Sequence, residues 1–449
     1  MSHAPRLRVP HPLVLLTGFV LLAAALSWIL PAGEFERQMD DATGRTVVVA
    51  GTYQEVAPEP VGFFQALVAL PEGMLDAGEV VFLVFLIGGA FSVVDQTGTL
   101  RRGVAWLVTR FHGRDLWVIP VVALFFAGGG ATQNMQEEII ALIPPLLILT
   151  RRLGFTPLVA VAMSAGPAFV ASAFSPMNPF QVQIAQNLAE LPLLSGWAFR
   201  LAFLVLALAF WIGMTMRHAA RNRVEPEQVE GEVDGHMGAR DWAIMGTVVL
   251  TFAVLIWGLM IRGWGFNDMS ALFFIMGVAA GAIAGLGVTG TADAYVKGFR
   301  EMAYAALLIG FARAIFVVLE QGRIVDTIVH AMFTPLEGLP VAASALGMVV
   351  AQAAIHVPVP SVSGQAVLTM PVLVPLSDLL GMSRQITVLA YQYGAGLCDL
   401  VTPTNGALMA ILAAGSVRFD EWVRFTGPLY LGLVALGAVS IVVGLAVGF

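Results

Sequence analysis

Cysteine and lysine are almost missing: the 449-residue sequence holds one of each, Cys398 and Lys297. A single cysteine excludes an intrachain disulfide and any cysteine-based metal cluster. No zinc-ligand spacing, no HExxH run and no glycine-rich phosphate loop with its lysine occurs. ATP-driven transport by this chain alone is therefore disfavoured, and no cofactor is expected. Positive charge is nearly all arginine and is scattered, which leaves no footprint for nucleic acid. Charge of either sign is scarce. Charged residues make up 12% of the chain against 58% hydrophobic ones, with a net charge of −7 and a mean hydropathy of +0.83. A soluble domain carries about twice that charged fraction.

What fills the chain instead is apolar runs near twenty residues, long enough to cross a hydrocarbon core of about 30 Å. The pattern predicts an all-α polytopic membrane protein with about nine full crossings. They fall at 12–31, 79–97, 156–193, 197–216, 242–261, 269–288, 304–321, 384–416 and 427–448. Long runs without period-two alternation argue against a β-barrel. The run from Leu13 to Pro31 exceeds a signal-peptide core and no small-x-small cleavage site follows it, so it is expected to remain as the first helix.

Basic residues orient the crossings. Arg6 and Arg8 place the N-terminus in the cytoplasm. Arg101, Arg102, Arg110 and Arg114, then Arg151 and Arg152, then Arg217, Arg221 and Arg223, then Lys297 and Arg300, and finally Arg418 and Arg424 mark later cytoplasmic stretches. The C-terminus then lies outside a cytoplasmic (inner) membrane. Four parts result: a first helix and outer loop (1–75, with acid-rich 33–75 outside), a first repeat (76–216), a cytoplasmic linker (217–241) and a second repeat (242–449).

Two regions fit no simple crossing. Residues 115–150 surround "GGGATQNMQEE", and residues 341–380 surround "HVPVPSVSGQA". Each leg reads as too short to span, with both ends on one side, which predicts a re-entrant hairpin. After each hairpin comes a helix with a polar break: "FSPMNPF" (174–180) within 156–193, and "VTPTNGA" (401–407) within 384–416. An offset of 227 residues aligns Ser175 with Thr402, Pro176 with Pro403, Asn178 with Asn405, Leu153 with Leu380, Gly154 with Gly381 and Pro144 with Pro371. By the arginine map the copies enter the membrane in opposite directions. Inverted repeats with matched helix breaks indicate a secondary transporter with a mid-membrane site, where freed amides, carbonyls and half-helix dipoles bind ligand.

The chain resembles the YfcC/DcuC-type carriers, the C4-dicarboxylate anaerobic carrier group of the ion-transporter superfamily. The residues carrying the likeness are "PAGEFER" (31–37), "GGAFSVVDQTGTL" (88–100), "NMQEEIIALIP" (134–144), "SVSGQAVLTMPVLVPLSDLLGMSRQ" (361–385) and "YQYGAGLCDLVTPTNGALMAIL" (391–412). That resemblance implies scaffold and transport domains, a homodimer and an elevator motion. It also implies sites at the hairpin tips and helix breaks, here residues 132–138 with 175–179 and 361–365 with 402–406. The chain departs from the family pattern by placing a carboxylate at Asp399 rather than near Ala395.

Ionisable groups inside a membrane cost roughly 2.5–3.5 kcal/mol on insertion scales, so each needs a partner or a purpose. Glu137 and Glu138 either bind a coupling cation, a proton or a substrate ammonium, or face the cytoplasmic opening as hydrated groups. Asp399 either approaches the second break or pairs with an arginine. Arg313 either grips a substrate carboxylate or is locked to Asp399 or Glu320. His356 is either a proton relay or a structural hydrogen-bonding group. Thr132, Asn134, Ser175, Asn178, Ser361, Ser363, Gly364, Gln365, Thr402, Thr404 and Asn405 supply hydroxyls, amides and close backbone approach. Asn134, Ser175 and Asn178 form one candidate sodium site, and Ser363, Thr402 and Asn405 another.

The leading expectation is a secondary active carrier, in the lipid bilayer, for small carboxylates or amino acids, coupled to Na+ or H+ and not an enzyme. A basic amino-acid exchanger is the alternative, favoured if Glu137, Glu138 and Asp399 line the site while Arg313 lies elsewhere. An intramembrane hydrolase would need a metal triad, a Ser–Lys or Ser–His pair or two facing aspartates, and none is evident.

Overall fold

The computed structural model describes residues 11–40, 45–49, 51–100, 102–103, 115–226, 237–262, 264–336 and 338–449. Arg6, Arg8, Arg101, Arg110, Arg114 and residues 227–236 of the expected linker lie outside the described residues. Apolar runs punctuated by proline and glycine set the element boundaries. α1 (Pro12–Leu26) opens with proline in its first turn, where no amide partner is lost. Four short strands follow, β1 (Gly33–Glu34), β2 (Arg37–Asp40), β3 (Arg45–Val48) and β4 (Gln54–Glu55), then α2 (Phe63–Asp76) and α3 (Gly78–Gln96). The first hairpin is α4 (Val118–Gln133) and α5 (Glu137–Arg152). The first broken helix is α6 (Pro157–Phe174), a π-helical turn (Pro179–Gln183) and α7 (Ile184–Leu188). Next come α8 (Trp197–Arg221), α9 (Ala239–Arg262), α10 (Phe266–Ala284), α11 (Gly287–Gln321) and α12 (Val325–Phe333). The second hairpin is α13 (Val341–His356) and α14 (Val362–Leu379). The second broken helix is α15 (Arg384–Tyr391), a π-helical turn (Gln392–Gly396) and α16 (Gly406–Ala414), and α17 (Phe419–Val447) ends the chain.

The two copies repeat in detail. Leu153 and Leu380 cap α5 and α14, and Gly154 and Gly381 follow at φ +70° and +65°, where a side chain would be strained. In each turn the next amide reaches back to a hydroxyl residue's carbonyl: Phe155 N to Thr150 O and Met382 N to Ser377 O, both at 2.8 Å. All these pairs keep the 227-residue offset. Asn178 and Asn405 both cap the second half of their broken helix, accepting from Phe180 N and Gln181 N in one copy and from Leu408 N in the other.

Several expectations are corrected. Among the described residues eight helices, rather than nine, are long and apolar enough to cross a membrane. Of the nine expected crossings, 12–31 is a helix of 15 residues, 384–416 is divided into pieces, and 242–261, which lies in α9, is not among the eight. Two hairpin legs read as too short, Asp115–Thr132 and Val362–Leu379, reach 18 residues, about 27 Å at helical rise. α11 begins at Gly287 and not near 304, because its polar first turns stay helical. Residues 63–75, expected in the outer loop, belong to α2, which packs along α11. The fold is mostly helical, as expected, and within 33–55 it adds two short antiparallel pairs, β1 with β4 and β2 with β3.

Two packing units result. α1, α2, α3 and α10 surround α11 as a frame, while in the core α4 and α5 pack on α6, and α13 and α14 pack on the second broken helix. Every residue of α6 from Leu158 to Phe174 is buried, and its alanines, glycine and serines let neighbours close in.

The stranded segment is pinned to α12. Asp326 accepts from Phe35 N and Arg37 Nη2, each at 2.9 Å; Tyr53 stacks on His330 at 4.1 Å; Arg323 bonds Glu34 at 2.7 Å. That arginine holds the Glu34 carboxyl below the usual glutamate range, so its contribution is present above about pH 4.5 and lost as pH falls through the lowered value. Burial pushes Asp326 the other way, so acidification does not release that contact. Amide protection of residues 33–40, relative to the intrinsic exchange rate at each pH, is expected to fall below about pH 4.5, and Glu34→Gln should remove that fall. Protection unchanged down to pH 3 would show that the Arg323 contact does not fasten the segment.

Candidate functional site

The hairpin tips and breaks converge. An added Cβ on Gly396 would lie 2.1 Å from Gln181 Nε2 and 3.0 Å from Ala173 Cβ, so the two broken helices cross there with no room to spare. Phe174 and Tyr393 meet with ring centroids 4.6 Å apart, and Gln392 Nε2 donates to Ser175 O at 3.0 Å. The first tip touches both breaks. Asn134, in the left-handed region at φ 55°, accepts from Ser172 beside the first break. Gln136 Nε2 donates to Asp399 Oδ2 at 2.9 Å beside the second.

The second break holds an ionisable network. Asp399 Oδ1 accepts from Asn405 Nδ2 at 2.6 Å and lies 2.8 Å from His356 Nε2. His356 Nδ1 lies 2.9 Å from Gln365 Oε1, and Gln365 Nε2 donates to Gln352 O at 2.7 Å. Gln352 Nε2 donates to Thr369 Oγ1 at 2.8 Å. His356 is fully buried and Asp399 is 3% exposed.

A cavity of about 520 Å³ opens onto this network between the frame and the core. Asp76, Val80, Met269, Arg313 and Phe316 form its frame side; Asn134, Gln136, Glu137, Glu138, Ser361, Ser363, Asp399, Thr404 and Asn405 form the other. Glu137 and Glu138 sit in the first turn of α5, where the helix dipole favours negative charge. Glu138 Oε2 accepts from Gln136 N at 3.2 Å. Among the described residues neither glutamate has an ion-pair partner. Arg313 pairs with Asp76 and lies 4.8 Å from the Phe316 ring centroid. The expected locks to Asp399 or Glu320 are therefore corrected. A second cavity, of about 580 Å³, lies beyond Arg313 and the second tip and carries Gly364 with Glu34, Arg37 and Arg323.

Other sequence candidates position the chain, and of these only Thr404 reaches the first cavity. Thr132 donates to Gly128 O at 2.7 Å. Ser175 donates to Ala131 O and accepts from Met177 N and Asn178 N, and both lone pairs of Asn178 Oδ1 are taken by amides. Thr402 is 2% exposed and Thr404 donates to Val357 O at 2.5 Å. The Ser175 and Asn178 oxygens offered to sodium at the first break are thus occupied, and Asn405 divides its amide between Asp399 and Leu408 N. Sequence reasoning missed Asp76 and Gln352. It also missed Arg200, which is 1% exposed against 39% for the Arg313 side chain. Glutamines within apolar helices were the available signal for the network.

The chain is similar to proteins of one kind along nearly its whole length. The family model for the C4-dicarboxylate anaerobic carrier matches residues 9–446. A protein of Escherichia coli bearing the provisional name basic amino acid antiporter YfcC is 31% identical, covering 98% of this chain and 96% of that one. A protein of Haemophilus influenzae with no assigned function is 28% identical over 97% and 96%. Among solved structures, the YdaH transporter of Alcanivorax borkumensis aligns with a TM-score of 0.45 at 20% identity, over 98% of this chain and 99% of that one. Neisseria gonorrhoeae MtrF, from a class of antimetabolite efflux pumps, aligns with a TM-score of 0.43 at 16% identity, over 96% and 94%.

Proposed function

The chain belongs to the C4-dicarboxylate anaerobic carrier family, and within that family of membrane transporters we propose that it exchanges small cationic amino acids. It is a multi-pass protein of the bacterial inner membrane, and it is not an enzyme. The observation that carries the proposal is the charge of the cavity wall. Glu137, Glu138 and Asp399 line the cavity, while its one arginine is already paired with Asp76. A low-dielectric cleft whose wall carries three carboxylic groups, and whose arginine is already paired, favours a cationic guest over a dicarboxylate. The name of the Escherichia coli relative agrees with this cargo.

A cavity shared between frame and core supports an elevator-type motion of the core against the frame, in a homodimer. The arginine distribution supports an N-terminus inside, a C-terminus outside and re-entrant hairpins. Exchange of one cation for another moves no net charge. Unopposed entry of one would instead follow a potential worth about 2.3 kcal/mol per 100 mV, roughly fiftyfold. In proteoliposomes preloaded with arginine, labelled arginine should accumulate by counterflow and labelled succinate should not. Succinate counterflow with no arginine signal would replace this reading with dicarboxylate transport, for which Arg313 would be the anchor.

A further inference from the structure

We propose that His356 and Asp399 together hold one exchangeable proton, and that this proton and a substrate's cationic group exclude one another at Asp399. The exclusion rests on the cationic cargo proposed above; the proton itself does not.

The hydrogen bonds require the proton. Gln365 Nε2 faces a backbone carbonyl, Gln352 O, which can only accept, so the amide cannot be reversed. Gln365 Oε1 is then the atom facing His356 Nδ1, and Nδ1 must carry hydrogen. The other ring nitrogen lies 2.8 Å from Asp399 Oδ1. Two acceptors do not sit at that distance, so a second hydrogen lies between them. Asn405 is oriented by Leu408 N, which fixes its amide toward Asp399, and Gln136 donates to the other carboxylate oxygen. These two amide donors favour the carboxylate form. The hydrogen therefore resides on Nε2, as imidazolium against carboxylate.

The surroundings give this pair a task. His356 does not reach the cavity, whereas Asp399 does, so the proton enters and leaves through the carboxylate. From α5, Glu137 and Glu138 face the same space; from α11 and α2 come Arg313 and Asp76, already paired. The neighbouring Cys398 thiol points elsewhere, to Tyr430 and Ala353 O, and α14 presents neutral Gln365 and Thr369. The fold does not demand the charge. At the 227-residue offset Asp399 matches Ser172, whose hydroxyl accepts from Asn178 as Asp399 accepts from Asn405.

A guanidinium or ammonium arriving at Asp399 would place two cations on one carboxylate. The proton on Nε2 passes to the carboxylate and then to cavity water, leaving neutral imidazole. Nε2 and Oδ1 are then two acceptors and must part, which loosens the second hairpin tip from the second break. One proton leaves per monovalent cation bound, with no change of net charge.

The test uses purified full-length protein in detergent. Nitrogen-15 spectra of the histidines, with His356 assigned by loss of its signals in His356→Gln, should show both ring nitrogens protonated at pH 7 without substrate. An unprotonated Nδ1 would overturn the proton. In weak buffer, L-arginine should release about one proton per molecule bound, its affinity rising about tenfold per pH unit while the pair is protonated. The release should vanish in His356→Gln. Binding by the wild type with no proton released would overturn the exclusion. Absence of any arginine binding removes the cationic cargo and the exclusion with it, while the spectrum still decides the proton.

Discussion

Asp399→Asn is expected to reduce arginine counterflow by at least about 100-fold in protein that still elutes as a single species. The substitution is nearly isosteric. A side-chain oxygen remains to accept from Gln136 or Asn405, so the cap at the second break has what it needs to form. What disappears is the negative charge that faces both His356 and the cavity. Removing one member of a buried charge pair costs about 3–5 kcal/mol, and each 1.36 kcal/mol is tenfold in rate, so 100-fold is the lower end. Ser172→Ala, at the matching position of the other copy, loses only a neutral hydroxyl away from the cavity and is expected to change counterflow less than about threefold. Equal losses in the two variants would mean that Asp399 acts through packing and that its charge has no part in transport.

That contrast between copies bears on how far the sequence could be read. The breaks were legible because proline, glycine and asparagine recur at one offset, and local backbone chemistry imposes them: an asparagine cap at 178 and 405, a left-handed glycine at 154 and 381. The hairpin ends were legible for the same reason. Pairings across space were not. His356 and Asp399 lie on different elements, and only packing decides that they meet. Asp76, the first residue after the acid-rich outer stretch, was not singled out, yet proline is tolerated within α2 and that helix carries Asp76 to its partner Arg313. The strands of 33–55 span two to four residues each, too few to leave an alternation. Which candidate polar groups face cargo and which hold the chain was also hidden, since Ser175 differs from Ser363 only in what surrounds it.

Arg200→Met is expected to lower stability by about 3–5 kcal/mol, measured as the midpoint of heat-induced loss of the folded species in detergent. Arg200 is buried with no carboxylate beside it among the described residues. Its Nε donates to Gln392 Oε1, Nη2 to Gln385 Oε1 and Nη1 to Ser195 O, each at 2.9 Å, and the guanidinium carbon lies 5.4 Å from the Phe449 ring centroid. Desolvating the cation opposes folding, and an apolar replacement can relieve that cost. Against it stand two acceptors, Gln392 Oε1 and Gln385 Oε1, left facing an apolar side chain, each worth roughly 1–3 kcal/mol when buried and unsatisfied, whereas Ser195 O keeps its bond from Gln186. Those acceptors also carry the crossing of the breaks, because Gln392 donates onward to Ser175 O and Gln385 to Ser195 Oγ. The larger effect is therefore loss. If Arg200 works by holding Gln392 in place, Arg200→Met and Gln392→Leu together should cost less than the sum of the single changes, by about 1 kcal/mol or more. A rise in the midpoint for Arg200→Met would show that desolvation outweighs the network, and that the two broken helices stay crossed on apolar packing alone.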